Sequence, residues 1–182
     1  ATGVSDANIS LFYDATDGVT FNGISSVSAA DIKALNGVVH VVDAVITIPD
    51  VVDHAVANPN LTELVGALTS GGNTTFTDLL SDDMGTYTVF APVNDAFEAF
   101  DNPAGNDLNA ILSNHVISGA AAFSSGLTNS YVNTLAEYAM DEPLSLYVNT
   151  DDGVTLNGVS TVAIPDIVAS NGVIRAVDAV LE

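Results

Sequence analysis

The sequence DGVTLNGVSTVAIPDIVASNGVIRAVDAVL (Asp152 to Leu181) has an earlier copy in the same chain, DGVTFNGISSVSAADIKALNGVVHVVDAVI (Asp17 to Ile46). The two copies are identical at 18 of 30 positions and lie 135 residues apart. That offset is the length of a whole domain, whereas solenoid units repeat about every 20 to 50 residues. The repeat therefore predicts globular modules in tandem.

The repeat also predicts where the modules divide. Residues 1–49 match residues 136–182, so the first stretch lacks an upstream half of its own. Residues 50–182 contain one full period. We predict that residues 1–49 are the C-terminal, β-rich part of a preceding module and that residues 50–182 form one complete module. The junction Ile48-Pro49-Asp50 has no flexible linker, which predicts semi-rigid packing of neighbouring modules.

The charge balance limits the classes of partner. The chain has 23 Asp and Glu residues against Lys33 and Arg175, and its formal net charge is −21. Such a chain is repelled by nucleic acid and by anionic membranes. Hydrophobic residues reach 48%, which is ample for a folded core. Salt relieves charge repulsion, so the composition favours a saline setting.

Several kinds of function have no support in the sequence. There is no cysteine, which excludes disulfides, thiol catalysis and zinc–thiolate sites. No nucleophile elbow, phosphate-binding loop or nucleotide fingerprint occurs. The longest apolar stretch, residues 38–48, is interrupted by His40 and Asp43 and is too short to span a bilayer. No signal peptide is visible at the start. We therefore expect a non-enzymatic protein without a transmembrane segment and without a bound cofactor.

The first half of the complete module has the apolar spacing of helices. One helix is predicted after Pro49, a second is closed by Gly71 and Gly72, and further helices are predicted around Phe76 to Leu80, after Asn94 and from Leu108 to His115. The segment Tyr87 to Ala91 has the composition of a strand.

The second half has the alternation of strands. Apolar and polar residues alternate from Leu144 to Asn149, Asp151-Asp152-Gly153 is typical of a turn, and a return strand follows, so a hairpin is predicted. The stretch from Val173 to Leu181 is apolar on both faces, which predicts a buried final strand. The fold class is therefore predicted as α+β.

Three ordered segments resemble the fasciclin I-type domain family. Residues 87–97 (YTVFAPVNDAF) resemble the family block TVFAPTNEAF, with Val93 in place of Thr. Residues 112–119 (LSNHVISG) resemble LLKYHVVPG, with Asn114 in place of Tyr. Residues 171–181 (NGVIRAVDAVL) resemble NGVIHVIDKVL, with Arg175 in place of His, whereas the earlier copy retains His40. The resemblance implies a β-sandwich-like wedge packed with several helices.

The same resemblance implies a function outside the cell. Most family members are extracellular adhesion, matrix or surface modules, and they commonly occur in tandem. The expected partners are neighbouring fasciclin-like modules of the same or another chain, or a cell-surface or matrix protein or glycan, and the expected location is secreted or cell-surface. Together with the acidity, the resemblance favours a bacterial, salt-adapted source. Two alternatives stay open, a repeat subunit of an extracellular fibre and a module that binds a small apolar ligand or a glycan.

Three residues are candidates for adhesion. In animal matrix relatives, the segment around a Tyr-His pair has been linked to integrin binding, but Asn114 replaces that Tyr, and a buried, hydrogen-bonded role is favoured for His115. A second family motif, EPDIM, corresponds here to residues 164–168, with Asp166 and Ile167 retained. The structural alternative is that Asp166 caps a short helix or turn while Ile167 packs into the core.

Two acidic turns faintly resemble calcium loops. They are residues 14–18 (DATDG) and residues 149–153 (NTDDG), and neither has the alternating ligands or the distal Glu of an EF-hand. We expect turns at both places. Loosely bound cations such as calcium are expected on the acidic surface instead of a specific metal site.

Overall fold

The structure is a computed structural model that describes residues 7–70, 74–102, 107–140 and 142–182. The strands are β1 (Tyr13–Asp14), β2 (Thr20–Phe21), β3 (Ser25–Ala34), β4 (Gly37–Val42), β5 (Tyr87–Pro92), β6 (Val116–Ser118), β7 (Ser130–Ala139), β8 (Glu142–Asn149), β9 (Thr155–Leu156), β10 (Ser160–Ala169) and β11 (Gly172–Val177). The helices are α1 (Val51–Ala57), α2 (Thr62–Leu68), α3 (Thr75–Leu80), α4 (Asn94–Glu98) and α5 (Leu108–Ser113), with short 3-10 turns at Pro59–Leu61 and Ser124–Gly126.

The first repeat copy forms a sheet of its own, with the order β1-β2-β3-β4 and antiparallel neighbours throughout. Its β2, β3 and β4 correspond residue for residue to β9, β10 and β11, which lie 135 positions later. The hairpins β3–β4 and β10–β11 also have register shifts at equivalent residues. The repeated sequence therefore specifies a repeated backbone.

The second sheet has the order β6-β5-β11-β10-β9-β8-β7. Its neighbours are antiparallel except for β5 and β11, which run parallel, with Tyr87 opposite Gly172 and Pro92 opposite Val177. The edge strands β6 and β7 are in contact, so the sheet is nearly closed. Every residue of β11 is buried because this strand lies between β5 and β10. The final repeat thus forms the centre of the second sheet.

The helices cover one side of this sheet and begin where the sequence provides caps. Asp50 caps α1 in a reciprocal capping box: the N–H of Asp53 donates to Asp50 Oδ1 at 2.7 Å, and the N–H of Asp50 donates to Asp53 Oδ2 at 3.2 Å. The apolar faces of the helices pack with the sheet into one core, which includes Val51, Leu61, Leu64, Leu68, Phe76, Leu80, Tyr87, Val89, Leu112 and Ile174. The α+β fold predicted from the sequence is confirmed.

Two sequence predictions need correction. The final strand was expected to reach Leu181, but β11 ends at Val177, where the N–H of Asp178 turns to the carbonyl of Thr161 (3.1 Å). The helix expected to reach His115 ends at Ser113. The hairpin after residue 144 is confirmed, since β8 and β9 pair across the Asp151–Gly153 turn. The helix stop expected at residues 71 and 72 lies outside the described residues.

Three observations bear on the junction between residues 1–49 and residues 50–182. Pro49 is buried, and its carbonyl accepts a hydrogen bond from the N–H of Ser170 at 2.9 Å. The next residue, Asp50, is the cap of α1. The predicted module boundary falls between these two residues and stays a prediction. Within the described ranges, every helix is too short or too polar to cross a bilayer.

Candidate functional site

Asp166 lies inside β10, at an irregularity of the strand where its φ is +52°. A positive φ is uncommon for a residue other than glycine, although Asp and Asn tolerate it best. The bend directs the carboxylate toward the segment that connects β6 to β7. There it accepts hydrogen bonds from the N–H of Ser124 (3.0 and 3.1 Å) and from the Ser124 hydroxyl.

Arg175, in the middle of β11, is the ionic partner of Asp166. Its Nη2 lies 3.0 Å from Asp166 Oδ1 and also donates to the carbonyl of Ala122. The Arg175 side chain is fully buried, whereas that of Asp166 is 26% exposed. Burial lowers the pKa of Arg175, and the nearby carboxylate of Asp166 opposes that shift. The pair connects the segment between β6 and β7 to strands β10 and β11, and it therefore stabilises the structure.

We expected Asp166 to cap a short helix or turn, and its carboxylate accepts the N–H of Ser124, the first residue of the 3-10 turn Ser124–Gly126. Asp166 itself lies within a strand, 42 residues away from Ser124 in the chain. Ile167 is partly buried and packs against the main core, as expected.

His115 lies between α5 and β6 and is 2% exposed. The N–H of Leu181 donates to His115 Nε2 at 2.9 Å, so Nε2 is the acceptor and Nδ1 carries the proton that is donated to the carbonyl of Ile111 (2.8 Å). Burial lowers the pKa of His115 to about 4, although the Ile111 carbonyl opposes this shift. The expectation of a buried, hydrogen-bonded histidine is confirmed.

The adhesion role of Asp166, Ile167 and His115 stays a prediction. The structure does not bring the three together as one surface. A partner could reach the exposed quarter of the Asp166 side chain and the uncovered part of Ile167, whereas His115 is buried. Sequence reasoning also missed Ser124 and Ala122, which hold the Asp166–Arg175 pair in place. Their distance along the chain leaves no local pattern that could reveal them.

The first sheet exposes apolar side chains on both sides of β4 and just after it, a set that we call the open face. It consists of Val38, Val39, Val41, Val45 and Ile46, together with the free edge of β4. Val38, Val39 and Val45 have exposed fractions of 54%, 51% and 83%. Exposed apolar surface of this kind is typical of a binding interface. It is the most prominent candidate for interaction in the described part of the chain.

Residues 1–49 also contact residues 50–182 directly. The N–H of Ser10 donates to the carbonyl of Val168 (2.9 Å), and the N–H of Val168 donates to Ser10 Oγ (3.0 Å). His54 Nε2 lies 3.2 Å from the same carbonyl, and burial lowers the pKa of His54. A cavity of about 260 Å³ remains at this junction, and it is lined by Ser10, Leu11, Phe12, His54, Asn58, Asn60, Ile164 and Ile167.

The two acidic turns form as expected. Asp14 Oδ1 accepts from the N–H (2.8 Å) and hydroxyl (2.6 Å) of Thr16, and Asn149 Oδ1 accepts from the N–H of Asp151 (2.8 Å). The side chains of Asp14 and Asn149, the first residue of each turn, therefore accept hydrogen bonds from within the same turn. Within the described ranges, no three His, Asp or Glu side chains are grouped closely enough to hold a metal ion. Loose binding of cations stays a prediction.

Comparisons with known proteins agree on one family. The Fasciclin domain model matches residues 1–49 and 59–182. The chain is 30% identical over 164 residues to a fasciclin-like arabinogalactan protein of Arthroderma benhamiae and 31% identical over 175 residues to the transforming growth factor-beta-induced protein ig-h3 of Sus scrofa. Each alignment covers 88% of this chain but only 37% and 24% of the relative, so the chain spans a minor part of both proteins.

A solved structure has the same fold. It is a FAS1 domain pair from the insect cell adhesion molecule fasciclin I, which superposes with a TM-score of 0.63 at 20% sequence identity. The match covers 95% of this chain and 66% of the other. The family match includes both repeat copies, and the fold, with its nearly closed sheet and its helices on one side, agrees with it. The chain therefore belongs to the fasciclin domain family.

Proposed function

We propose that the chain is a stretch of a tandem fasciclin-like array that serves extracellular adhesion or builds a matrix or surface structure, without catalysis. The observation that carries the proposal is the direct hydrogen bonding between residues 1–49 and residues 50–182. The Ser10–Val168 and Pro49–Ser170 hydrogen bonds join the two parts without an intervening linker. The name of the structural relative, an insect cell adhesion molecule, supports the adhesive role.

The array geometry is central to this function. An adhesive or structural protein must carry load or present surfaces at fixed spacing, which a flexible linker does not provide. A buried proline at the junction restricts the backbone where one module meets the next. We propose the cell surface or the surrounding matrix as the location, next to other modules and to surface proteins or glycans, because an array with rigid junctions suits an adhesive or structural task there.

Deletion of the encoding gene in the source organism tests the proposal. Cells without the protein should attach less well to one another or to a surface, and the purified full-length protein should restore attachment. Restoration should fail with a version in which a flexible Gly-Ser linker is inserted between Pro49 and Asp50. Unchanged attachment after deletion would contradict the adhesive function, and full restoration by the linker version would contradict the need for a rigid junction.

A fibre is the second candidate function, because β4 is an edge strand whose outer edge is unpaired and which carries exposed apolar side chains. Electron microscopy of native material should show filaments if this candidate is correct. The small-ligand alternative rests on two cavities of different size. The apolar cavity under α1, α2 and α3 is about 60 Å³, whereas an apolar cavity of about 150 Å³ is known to hold benzene. The cavity at the junction, lined in part by Ser10, His54 and Ile167, is larger, at about 260 Å³.

A further inference from the structure

The cavity between the two parts of the chain has polar groups on one side and apolar groups on the other. We call it the junction cavity, and it is lined by residues 10–12, His54, Asn58, Asn60, Ile164 and Ile167. Its volume is about 260 Å³. Because residues 1–49 and residues 50–182 each supply part of the lining, the cavity is complete only while the two parts are in contact. Ligand sites are frequently found at boundaries of this kind.

His54, on α1, has a ring nitrogen without a partner. The residue is 3% exposed, and its Nε2 lies 3.2 Å from the carbonyl of Val168. A carbonyl only accepts, so Nε2 carries the proton and Nδ1 is an acceptor. No group in the described part of the chain donates a hydrogen bond to Nδ1. Burial lowers the pKa of His54, which keeps the Nδ1 lone pair free at neutral pH.

Asn58, at the C-terminal end of α1, supplies the complementary group. It is 7% exposed, and its Oδ1 accepts from the N–H of Asn60 at 3.0 Å. Its Nδ2 has no partner within the described ranges, although most buried polar atoms in proteins have one. His54 and Asn58 are four residues apart, so they lie on the same side of α1. One unused acceptor and one unused donor therefore face the junction cavity from one wall.

The chemistry of the lining restricts the class of ligand. The wall opposite to α1 is apolar and includes Phe12, and no Asp, Glu, Lys or Arg is among the described residues that line the cavity. A charged ligand would lose its hydration without gaining an opposite charge. A purely apolar ligand would leave His54 Nδ1 and Asn58 Nδ2 unpaired, which is also costly. A neutral sugar ring meets both requirements, since its faces carry C–H groups and its edge carries hydroxyls that donate and accept.

We propose that the junction cavity binds one neutral hexose unit of a glycan. A sugar hydroxyl donates to His54 Nδ1, a sugar oxygen accepts from Asn58 Nδ2, and the C–H face of the ring lies against Phe12. Because the sugar contacts both parts of the chain, its binding stabilises the junction as well as attaching the protein to the glycan. The inference rests on the proposed adhesive function, since it specifies a glycan site within the array.

NMR titration with the methyl glycosides of glucose, galactose and mannose tests the site. At least one of the three should bind with a dissociation constant of about 1 mM, as expected for a ligand of this size. The nitrogen signal of His54 Nδ1 should shift on binding, because its lone pair accepts a new hydrogen bond. His115 is the internal control, since both of its ring nitrogens are already hydrogen-bonded and should not respond. A lack of saturable binding by all three glycosides, or binding that leaves the His54 signal unchanged, would overturn the proposal.

The variant Asn58→Ser tests the donor. Serine retains an oxygen that can cap the 3-10 turn, but the amide that faces the cavity is lost. The dissociation constant should rise about tenfold. Asn149→Ser is the matched control and should leave it unchanged, because Asn149 Oδ1 also accepts from the N–H two residues later (2.8 Å) but lies outside the cavity. Melting temperatures show that both variants are folded, and equal affinities of Asn58→Ser and the wild type would overturn the assigned contact.

Two further outcomes would contradict the proposal. Saturable binding of benzene in the cavity without binding of any glycoside would assign the site to an apolar ligand. Shifts confined to Tyr131 and Tyr147, whose rings lie 5.0 Å apart, would place the sugar elsewhere. These outcomes are separate from the attachment experiment. Cells that lose attachment while the chain binds no sugar would retain the adhesive function without this site, and sugar binding with unchanged attachment would contradict adhesion alone.

Discussion

The hairpin β3–β4 and the hairpin β10–β11 have the same strands, the same register shifts and the same residues with positive φ, yet only the second is a core element. Asn22 and Asp31 have φ values of 48° and 58°, and their counterparts Asn157 and Asp166 have 51° and 52°. The local backbone is therefore specified by the repeated sequence, while burial is specified by a partner that lies far away in the chain.

The two copies also treat one ionic position differently. In the complete module, Asp166 pairs with Arg175 and both contact the segment around residues 122–124. In the first copy, the N–H of Asp31 donates to His40 Nδ1 at 3.3 Å, and both side chains are exposed. Asp166 thus takes part in an ion pair that stabilises its copy, whereas its counterpart Asp31 is exposed.

The largest difference between the copies is expected at their glycines. Gly172→Ala should destabilise the complete module by about 3 kcal/mol or more, because the methyl group overlaps the Tyr87 backbone and β5 must move. Gly37→Ala should change stability by no more than about 0.5 kcal/mol. Urea unfolding of both variants measures the two effects. Equal losses of stability would contradict the difference between the copies, since they would mean that a close neighbour contacts both glycines.

The two glycines illustrate which features of the structure can be predicted from the sequence and which cannot. The Asn-Gly pairs were recognised as turn signals, and the hairpins, most of the helices and the α+β class followed from spacing and composition. The close contact at Gly172 could not be inferred, because it depends on a strand that lies 80 to 85 positions earlier in the chain. The same holds for Ser124 and Ala122, whose contacts with Asp166 and Arg175 arise only in the folded sheet.

Low pH should lower the free energy of unfolding, because His115 is buried in its neutral form and contacts the end of the second copy. In the folded protein His115 stays neutral down to a pH of about 4, whereas the unfolded chain takes up this proton near pH 6.5. Between these values the unfolded state binds more protons, so this contribution is complete above about pH 6.5 and is lost as the pH falls toward 4. The loss should reach about 2 kcal/mol at pH 5.

The variant His115→Gln separates this effect from the titration of the many carboxylates. It should be less stable than the wild type at pH 7, and the gap between the two free energies of unfolding should shrink by about 2 kcal/mol at pH 5. Protonation of Nε2 breaks the bond from the Leu181 N–H, so the end of the second copy should lose this attachment to the core. A gap that does not change with pH would show that His115 does not titrate in this window.

The smallest difference is expected at the ionic position. Asp166→Asn retains a side chain that tolerates a positive φ, but it removes the charge next to the fully buried Arg175. Because the Asp166 side chain is partly exposed, we expect a loss of about 1–2 kcal/mol, below the cost of breaking a fully buried pair. Asp31→Asn, at the exposed counterpart, should cost less than about 0.5 kcal/mol.

Attachment assays with these two variants decide whether Asp166 has a second task. If the residue acts only through Arg175 and Ser124, Asp166→Asn should lower the melting temperature and leave attachment at a permissive temperature unchanged. If a partner contacts its exposed quarter, attachment should fall even where the module is fully folded. The Asp31→Asn variant calibrates the result, because Asp31 has the same bend in the strand, without a cationic side chain against its carboxylate. A loss of attachment in that variant as well would point to the bend and its acidic group as the adhesive feature, independent of the helical half.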